Sequence, residues 1–332
     1  MKILVFESDA ATREIFDQKL TGNDIIHFDT PISAEALTQH PDAEAISCFV
    51  GSQLRAPEMD LVPTLKLIIT RSAGFDHIDC AHAKEKGIAV VRVPRYGQHT
   101  VAEFAFALML SLSRRVVDAA TRMRETGAFD PKPFEGFDLF GKTLGVVGTG
   151  NIGRAVVGIA RGFGMHILMH DMYPAADLAS DTARYVPLEE LLAQSDIVTL
   201  HAPYTPENHH LMNADRLAQM KHGAFLINTA RGELVDTRAL VAALGTGQLA
   251  GAALDVLEDE RVFKTGGMMP DASDVDELKT LVYDHELVRN PNVIVTPHMA
   301  FNTREAYRDI ITISADNVLA FLAGAPVNTV QV

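Results

Sequence analysis

The sequence predicts an α/β protein built as two doubly wound parallel-sheet domains. Three observations carry this prediction. Short apolar runs alternate with helix-compatible stretches, the pattern of βαβ units on a parallel sheet. The alternation occurs twice, with one long helical segment between the two series, and the second series opens on a glycine-rich strand-to-helix turn. A chain of 332 residues, 47% apolar and 22% charged, is long and apolar enough to bury two cores of ordinary size.

The first series begins with residues 2–6 (KILVF), a buried strand, followed by a helix over 11–20. Strand 25–28, helix 34–39, strands 45–50 and 67–70, a helical stretch near 81–87 and strand 89–93 continue it. Residues 100–124 read as one long helix, apolar on nearly all sides through its first half and therefore buried there. Pro131, Pro133 and four phenylalanines in the stretch after it read as a loop that packs down. The second series runs through strand 142–147, strand 166–170, helix 187–193, strand 197–201, helix 214–220, strand 224–228, helix 236–245, strand 250–254 and strand 293–296. An amphipathic helix over 303–323 and a short extended tail close the chain.

The formal net charge of −14 argues against a general polyanion binder, which needs a basic face to displace counterions, so nucleic acid is not an expected partner. An anionic ligand must then be held by local arginines and backbone amides against the overall field. Two cysteines, Cys48 and Cys80, are too few for a disulfide framework and fit a reducing compartment. The N-terminal apolar run is broken by Glu7 and Asp9, and no stretch reaches the roughly 18 apolar residues of a membrane span. A cytoplasmic protein with no membrane partner is the expectation. His99, His201 and the pair His209 and His210 have no carboxylate or cysteine at metal-ligand spacing, so no metal site is expected.

The segment KTLGVVGTGNIG places Gly148, Gly150 and Gly153 where a strand of small and β-branched residues turns into a helix. In that context Gly148 permits the tight turn, Gly150 lets the backbone approach a pyrophosphate, and Gly153 lets the helix pack against the strand. The free amides of the helix N-terminus then face the phosphates, with Arg154 expected beside them. Asp171, at the end of the next strand, suits the adenine-ribose hydroxyls and repels a 2′-phosphate, which favours NAD over NADP.

Three polar elements follow later strands: Asn228 to Gly232 (NTARG), Asp255 to Glu260 (DVLEDE), and Pro297 with His298. Ligands of open parallel sheets bind outside the carboxyl ends of the strands, so these elements are candidates for one crevice.

With these residues in view, the chain resembles the NAD-dependent D-2-hydroxyacid dehydrogenase family, and within it most the D-lactate dehydrogenase branch. The similarity extends over nearly the whole length. It is carried by MKHGAFLINTARGELVD at 220–236, GTGNIG, HAPYTPENHHLM at 201–212, NVIVTPHMAFNT at 292–303 and RSAGFDHID at 71–79. It implies a Rossmann-type cofactor domain over 100–299 inserted into a flavodoxin-like substrate domain formed by 1–99 and 300–332. It also implies a homodimer, formed through the cofactor domain and its helical segment 100–124.

Matched position by position, the resemblance makes Arg231 the substrate-binding arginine, His298 the acid/base and Glu260 the carboxylate supporting it. Ser72, Ala73, Gly74 and Tyr96 correspond to substrate contacts. Besides the glycines and Asp171, Asn151, Ile152, His201, Ala202, Pro203, Asn208, Thr229, Ala230 and Asp255 correspond to cofactor contacts. The connection between Glu260 and Asn292 has the length seen in the D-lactate branch. Two departures bear on substrate: Arg95-Tyr96-Gly97-Gln98-His99 differs from the usual serine-proline form after the tyrosine, and Phe104 replaces a histidine common in that branch.

The chemistry fits these types. An arginine fork binds a carboxylate bidentately and stays charged. An imidazole can give and take a proton near neutral pH, and a carboxylate partner fixes its tautomer. The expected activity is reversible, NADH-dependent reduction of pyruvate or a related 2-keto acid to the D-2-hydroxy acid. The alternatives within the class are a glyoxylate, hydroxypyruvate or branched 2-keto acid reductase. The rival from another class is an NAD-sensing, corepressor-like binding protein, which would show no turnover.

Overall fold

A computed structural model describes residues 1–258, 260 and 275–330. The chain divides into two compact units, one of residues 1–97 with 302–332 and the other of residues 98–301.

The first unit contains strands β1 (Lys2–Val5), β2 (Asp24–His27), β3 (Ala45–Cys48), β4 (Leu67–Thr70) and β5 (Ala89–Val91). They form a parallel sheet in the order β2-β1-β3-β4-β5, the flavodoxin-like arrangement. Both faces are covered, as the unbroken apolar runs require. Ile3 and Val5 face one cluster with Phe16 and Leu20, whereas Leu4 and Phe6 face another with Leu37, Leu54 and Met59. Helices α1 (Ala10–Lys19), α2 (Ala34–Thr38), α3 (Ala56–Asp60) and α4 (Cys80–Glu85) connect the strands. Asp9, Ser33 and Asp79 cap three of them by accepting amide hydrogen bonds. Helix α3 escapes the sequence reading because Pro57 stands inside its five residues, where a proline reads as a turn. The C-terminal tail is extended and pairs antiparallel beside β5, through Val330 N to Val90 O at 2.8 Å.

In the second unit the strands β6 (Thr143–Val147), β7 (His166–His170), β8 (Ala183–Tyr185), β9 (Ile197–Leu200), β10 (Ala224–Asn228), β11 (Leu249–Leu254) and β12 (Val293–Val295) form a parallel sheet. Its order is β12-β11-β10-β9-β6-β7-β8. The chain winds one way from β6 through β8, then returns to lay β9 on the other side of β6. The switch point of this Rossmann-type sheet therefore lies between β6 and β9. Strand β8 is absent from the sequence reading because its three residues, Ala-Arg-Tyr, carry no apolar run.

Residues 100–124 do not form one helix. Helix α5 spans Gln98–Ser113 and α6 spans Val116–Thr126, with Arg115 left-handed between them at φ 51°. The Ser113 carbonyl, which a continuous helix would use internally, instead accepts Phe137 N at 2.9 Å. Gly136 allows that approach, since a Cβ there would overlap the same oxygen. Helix α5 buries Val101, Ala102, Ala105, Phe106, Leu108 and Met109; α6 buries no residue.

Helices α7 (Asn151–Gly162), α8 (Leu188–Gln194), α9 (Ala214–Gln219) and α10 (Thr237–Gly245) connect the strands of the second unit. Of the connection expected between Glu260 and Asn292, residues 261–274 lie outside the described residues, and α11 (Val275–Arg289) forms its second half. Helix α12 (Arg304–Leu322) returns to the first unit and packs Ile311, Ala315 and Val318 on its sheet. Among the described residues no helix is long and apolar enough to cross a membrane.

Candidate active site

The glycine loop grows from the carboxyl end of β6 at the switch point. Gly148 has φ +91°, and a Cβ there would stand 2.5 Å from the Ala202 amide nitrogen, so only glycine lets this turn lie against the chain leaving β9. A Cβ on Gly153 would overlap the Gly148 carbonyl oxygen. Gly150 is different: no atom lies within 4 Å of the place its Cβ would occupy. Two glycines are thus fixed by packing, and the third leaves open space at the N-terminus of α7, the space a pyrophosphate approaching the backbone needs. Asn151 and Ile152 form the first turn there.

Asp171 follows β7 and is bound to this loop. Its Oδ2 accepts Thr149 N at 2.6 Å and Thr149 Oγ1 at 3.0 Å, and its Oδ1 accepts Tyr173 N at 2.8 Å. Burial pushes the Asp171 carboxyl up, but the Thr149 and Tyr173 donors outweigh it and hold the group below its ordinary value. Tyr185 on β8 completes the network, its hydroxyl 2.8 Å from Thr149 Oγ1 while it accepts Ala175 N at 3.0 Å. Thr149 and Tyr185 escaped the sequence reading, which treated residue 149 as a variable position and did not see β8. Arg154, expected beside the phosphates, forms a two-pronged pair with Asp177, at 2.5 and 3.0 Å.

Across the switch point, His201 N donates to Val147 O at 2.7 Å. His201 Nε2 lies 2.9 Å from Thr199 Oγ1, whereas its Nδ1 is buried without a partner, and burial pushes the imidazole down to about 3. At the end of the neighbouring β10, Thr229 Oγ1 is likewise buried and unpaired. Buried polar atoms are normally hydrogen-bonded, so two orphans at adjacent strand ends mark a place for a polar ligand. Ala202 and Pro203 lead into a turn held by Asn208, whose Nδ2 donates to Pro203 O and whose Oδ1 accepts Thr205 N, both at 2.8 Å. The open space at Gly150, the Asp171 carboxylate and the two orphans together fit NAD.

The remaining site residues follow β10, β11 and β12, which are neighbours in the sheet. Asn228 folds the NTARG turn back on itself: its Nδ2 donates to Arg231 O at 2.7 Å and its Oδ1 accepts Ala230 N at 3.0 Å. Gly232 then presses against the chain leaving β11, where a Cβ would overlap the Leu257 carbonyl. This contact, which the sequence reading did not single out, sets the Arg231 turn beside the segment carrying Glu260. Arg231 Nη1 donates to Ala230 O at 2.8 Å.

His298 and Glu260 meet: His298 Nδ1 lies 2.9 Å from Glu260 Oε1 and 3.1 Å from Oε2, with the imidazole 37% exposed. His298 is held left-handed, at φ 51°, a conformation that persists only where surrounding bonds dictate it. Asp255 supplies them. Its carbonyl accepts His298 N at 2.9 Å, and its carboxylate accepts Thr296 Oγ1, Met299 N and Ala300 N at 2.6, 2.9 and 2.8 Å. Burial drives the Asp255 carboxyl above its ordinary value despite these donors. Asp255, expected as a cofactor contact, is therefore also the post around which the His298 loop is wrapped.

In the first unit, Ser72 is buried after β4 and donates from Oγ to Gly74 O at 2.6 Å. Ser72 O accepts Val93 N at 3.0 Å and Ala73 O accepts Arg92 Nη1 at 3.1 Å. Tyr96 is half-buried shortly after β5.

The pair His209 and His210 is also corrected. Glu258 lies 48 positions away in sequence, but its Oε1 stands 2.6 Å from His210 Nε2. A carboxylate does accompany the two histidines.

The sequence profile described as D-isomer specific 2-hydroxyacid dehydrogenase, NAD binding domain, matches residues 106–300. The chain is 35% identical over 322 residues to the D-lactate dehydrogenase of Escherichia coli K12, covering 96% of each chain. It is 40% identical over 304 residues to a glyoxylate reductase of Thermofilum pendens, covering 89% of this chain and 84% of the relative. Among solved structures, the D-lactate dehydrogenase of Aquifex aeolicus complexed with NAD and lactic acid superimposes with a TM-score of 0.84 at 36% identity, covering 97% of this chain and 96% of that one. With the two parallel sheets and the glycine loop already described, these similarities make the chain a member of the D-isomer specific 2-hydroxyacid dehydrogenase family, NAD-dependent oxidoreductases.

Proposed function

We propose that the chain reduces pyruvate, or a close 2-keto acid, to the D-2-hydroxy acid with NADH. The observation that carries this reading is the His298–Glu260 pair, placed with Arg231 beyond the carboxyl ends of three adjacent strands. Bound NADH supplies a hydride to the carbonyl carbon. Arg231 holds the substrate carboxylate through its planar fork. His298 as imidazolium gives its Nε2 proton to the carbonyl oxygen and is left as the neutral ring, whose remaining Nδ1–H stays bonded to Glu260. The second carboxylate contact proposed for the Ser72-Ala73-Gly74 turn comes from its backbone amides, since a carboxylate accepts hydrogen bonds and carbonyl oxygens cannot donate them.

His298→Gln is the test. It should lower kcat by about 10²–10⁴-fold and leave NADH affinity largely intact. A near-normal rate would remove His298 from the chemistry. Similarity to a glyoxylate reductase supports the smaller keto acid glyoxylate as the alternative substrate.

A homodimer in the cytoplasm belongs to the same proposal. Val116, Val117 and Met123 on α6 and Phe129 just beyond it are exposed apolar side chains in the cofactor unit, and they suit a subunit contact. Sedimentation of the chain as a monomer at micromolar concentration would overturn that assignment.

A further inference from the structure

His209, His210 and Glu258 take no part in the proposed reaction, yet they form a cluster with a defined chemistry. One ligand atom from each residue lies within 4.8 Å of the other two. The two imidazoles stack at 3.9 Å between ring centroids. Neighbouring residues on extended backbone point their side chains apart; here His210 is left-handed, at φ 51°, and the rings lie together. Its backbone is fixed by His210 N to Glu233 O at 2.9 Å, and Glu258 Oε2 accepts Thr237 N at 3.3 Å, which orients the carboxylate.

We propose that His209, His210 and Glu258 form a binding site for a zinc-class divalent cation, which ties the loop after β9 to the segment after β11. Two imidazoles and one carboxylate are a three-ligand set that suits zinc, with water as the fourth ligand. Nitrogen ligands favour zinc, nickel or copper over magnesium and calcium, which require oxygen. Ligand bonds of about 2.0–2.1 Å set the ligand atoms somewhat over 3 Å apart. The His210–Glu258 contact therefore opens slightly as the ion replaces the shared hydrogen, and the exposed His209 ring swings in. The Thr237 amide behind Glu258 supplies the outer bond that such ligands use for orientation.

The test is calorimetric titration of zinc chloride into the untagged 332-residue chain without cofactor. One ion per chain at micromolar affinity is expected, weakened by about tenfold or more in His209→Ala and in Glu258→Gln, since losing a direct ligand costs at least what losing an outer-shell partner does. His166→Ala, which removes an exposed histidine on β7, should leave the affinity unchanged, and excess magnesium should not compete. Absence of saturable binding, or equal affinity in wild type and His209→Ala, overturns the proposal. So does an equal loss in His166→Ala, which would mean adventitious surface histidines. If Glu258→Gln does not fold, His209→Ala decides alone, because its side chain is exposed.

Discussion

At Arg231 the choice of arginine over lysine matters because a guanidinium presents two parallel donors to a carboxylate and an ammonium presents a point charge. In the proposed reaction Arg231→Lys keeps the charge and loses the fork, so KM for the keto acid should rise by about tenfold or more while NADH binding is retained. An unchanged KM would deny Arg231 the anchoring role. Asp171 works through geometry fixed by Thr149 and Tyr173, whose donors hold the carboxylate ionised at the edge of the glycine loop. Asp171→Ala should raise the ratio of kcat/KM with NADPH to that with NADH, by removing repulsion of the 2′-phosphate. A wild-type protein that already used NADPH as well as NADH would contradict it. The places of Arg231 and His298 just past a strand were legible in the sequence, and the resemblance to the family supplied their proposed roles. The bracing of His298 by Asp255 was not, since it consists of hydrogen bonds across 41 to 45 positions that no local pattern announces.

Elements with an apolar run or a helical period were readable, whereas those without either, and interruptions, were not. The apolar runs of β1, β6 and β10 predict themselves because each is buried on both faces. The break between α5 and α6 leaves no signature in the residues around Arg115. It is imposed by Gly136 and Phe137, which arrive later in the chain and take the Ser113 carbonyl. The Glu258 partner of His210 was hidden for the same reason, being a neighbour only after β9, β10 and β11 lie side by side. Gly232 belongs to this scale, since it lets the turn after β10 touch the segment after β11. Gly232→Ala should destabilise the chain by more than about 1 kcal/mol, because the added methyl overlaps backbone and not a movable side chain. It should also lower kcat/KM by displacing Arg231. A denaturation midpoint and a kcat/KM equal to wild type would show that the two segments separate freely.

Over the whole molecule, acidic side chains outnumber basic ones, and their placement gives stability a predictable pH dependence. Burial opposes ionisation of Asp196, but Lys221 and the Thr143 amide outweigh it and depress its carboxyl; hydrogen bonds likewise overcome burial at Asp9 and Asp171. These carboxyls bind protons less readily folded than unfolded. Their stabilisation is complete above the ordinary carboxylate range near pH 4 and is lost as pH falls through the depressed values. The Tm difference between wild type and Asp196→Asn should therefore shrink on acidification from pH 7 to about pH 3. A difference independent of pH would contradict that assignment. The doubly wound sheets, the cofactor loop and the strand-end residues all converge on a dehydrogenase of 2-keto and 2-hydroxy acids. The most direct measurement is oxidation of NADH by the purified chain with 2-keto acids of increasing side-chain size, pyruvate and glyoxylate included, with the chirality of each chiral product determined. The account predicts turnover with a small 2-keto acid and, from pyruvate, D-lactate; no turnover with any member of the panel, or an L product, would contradict it.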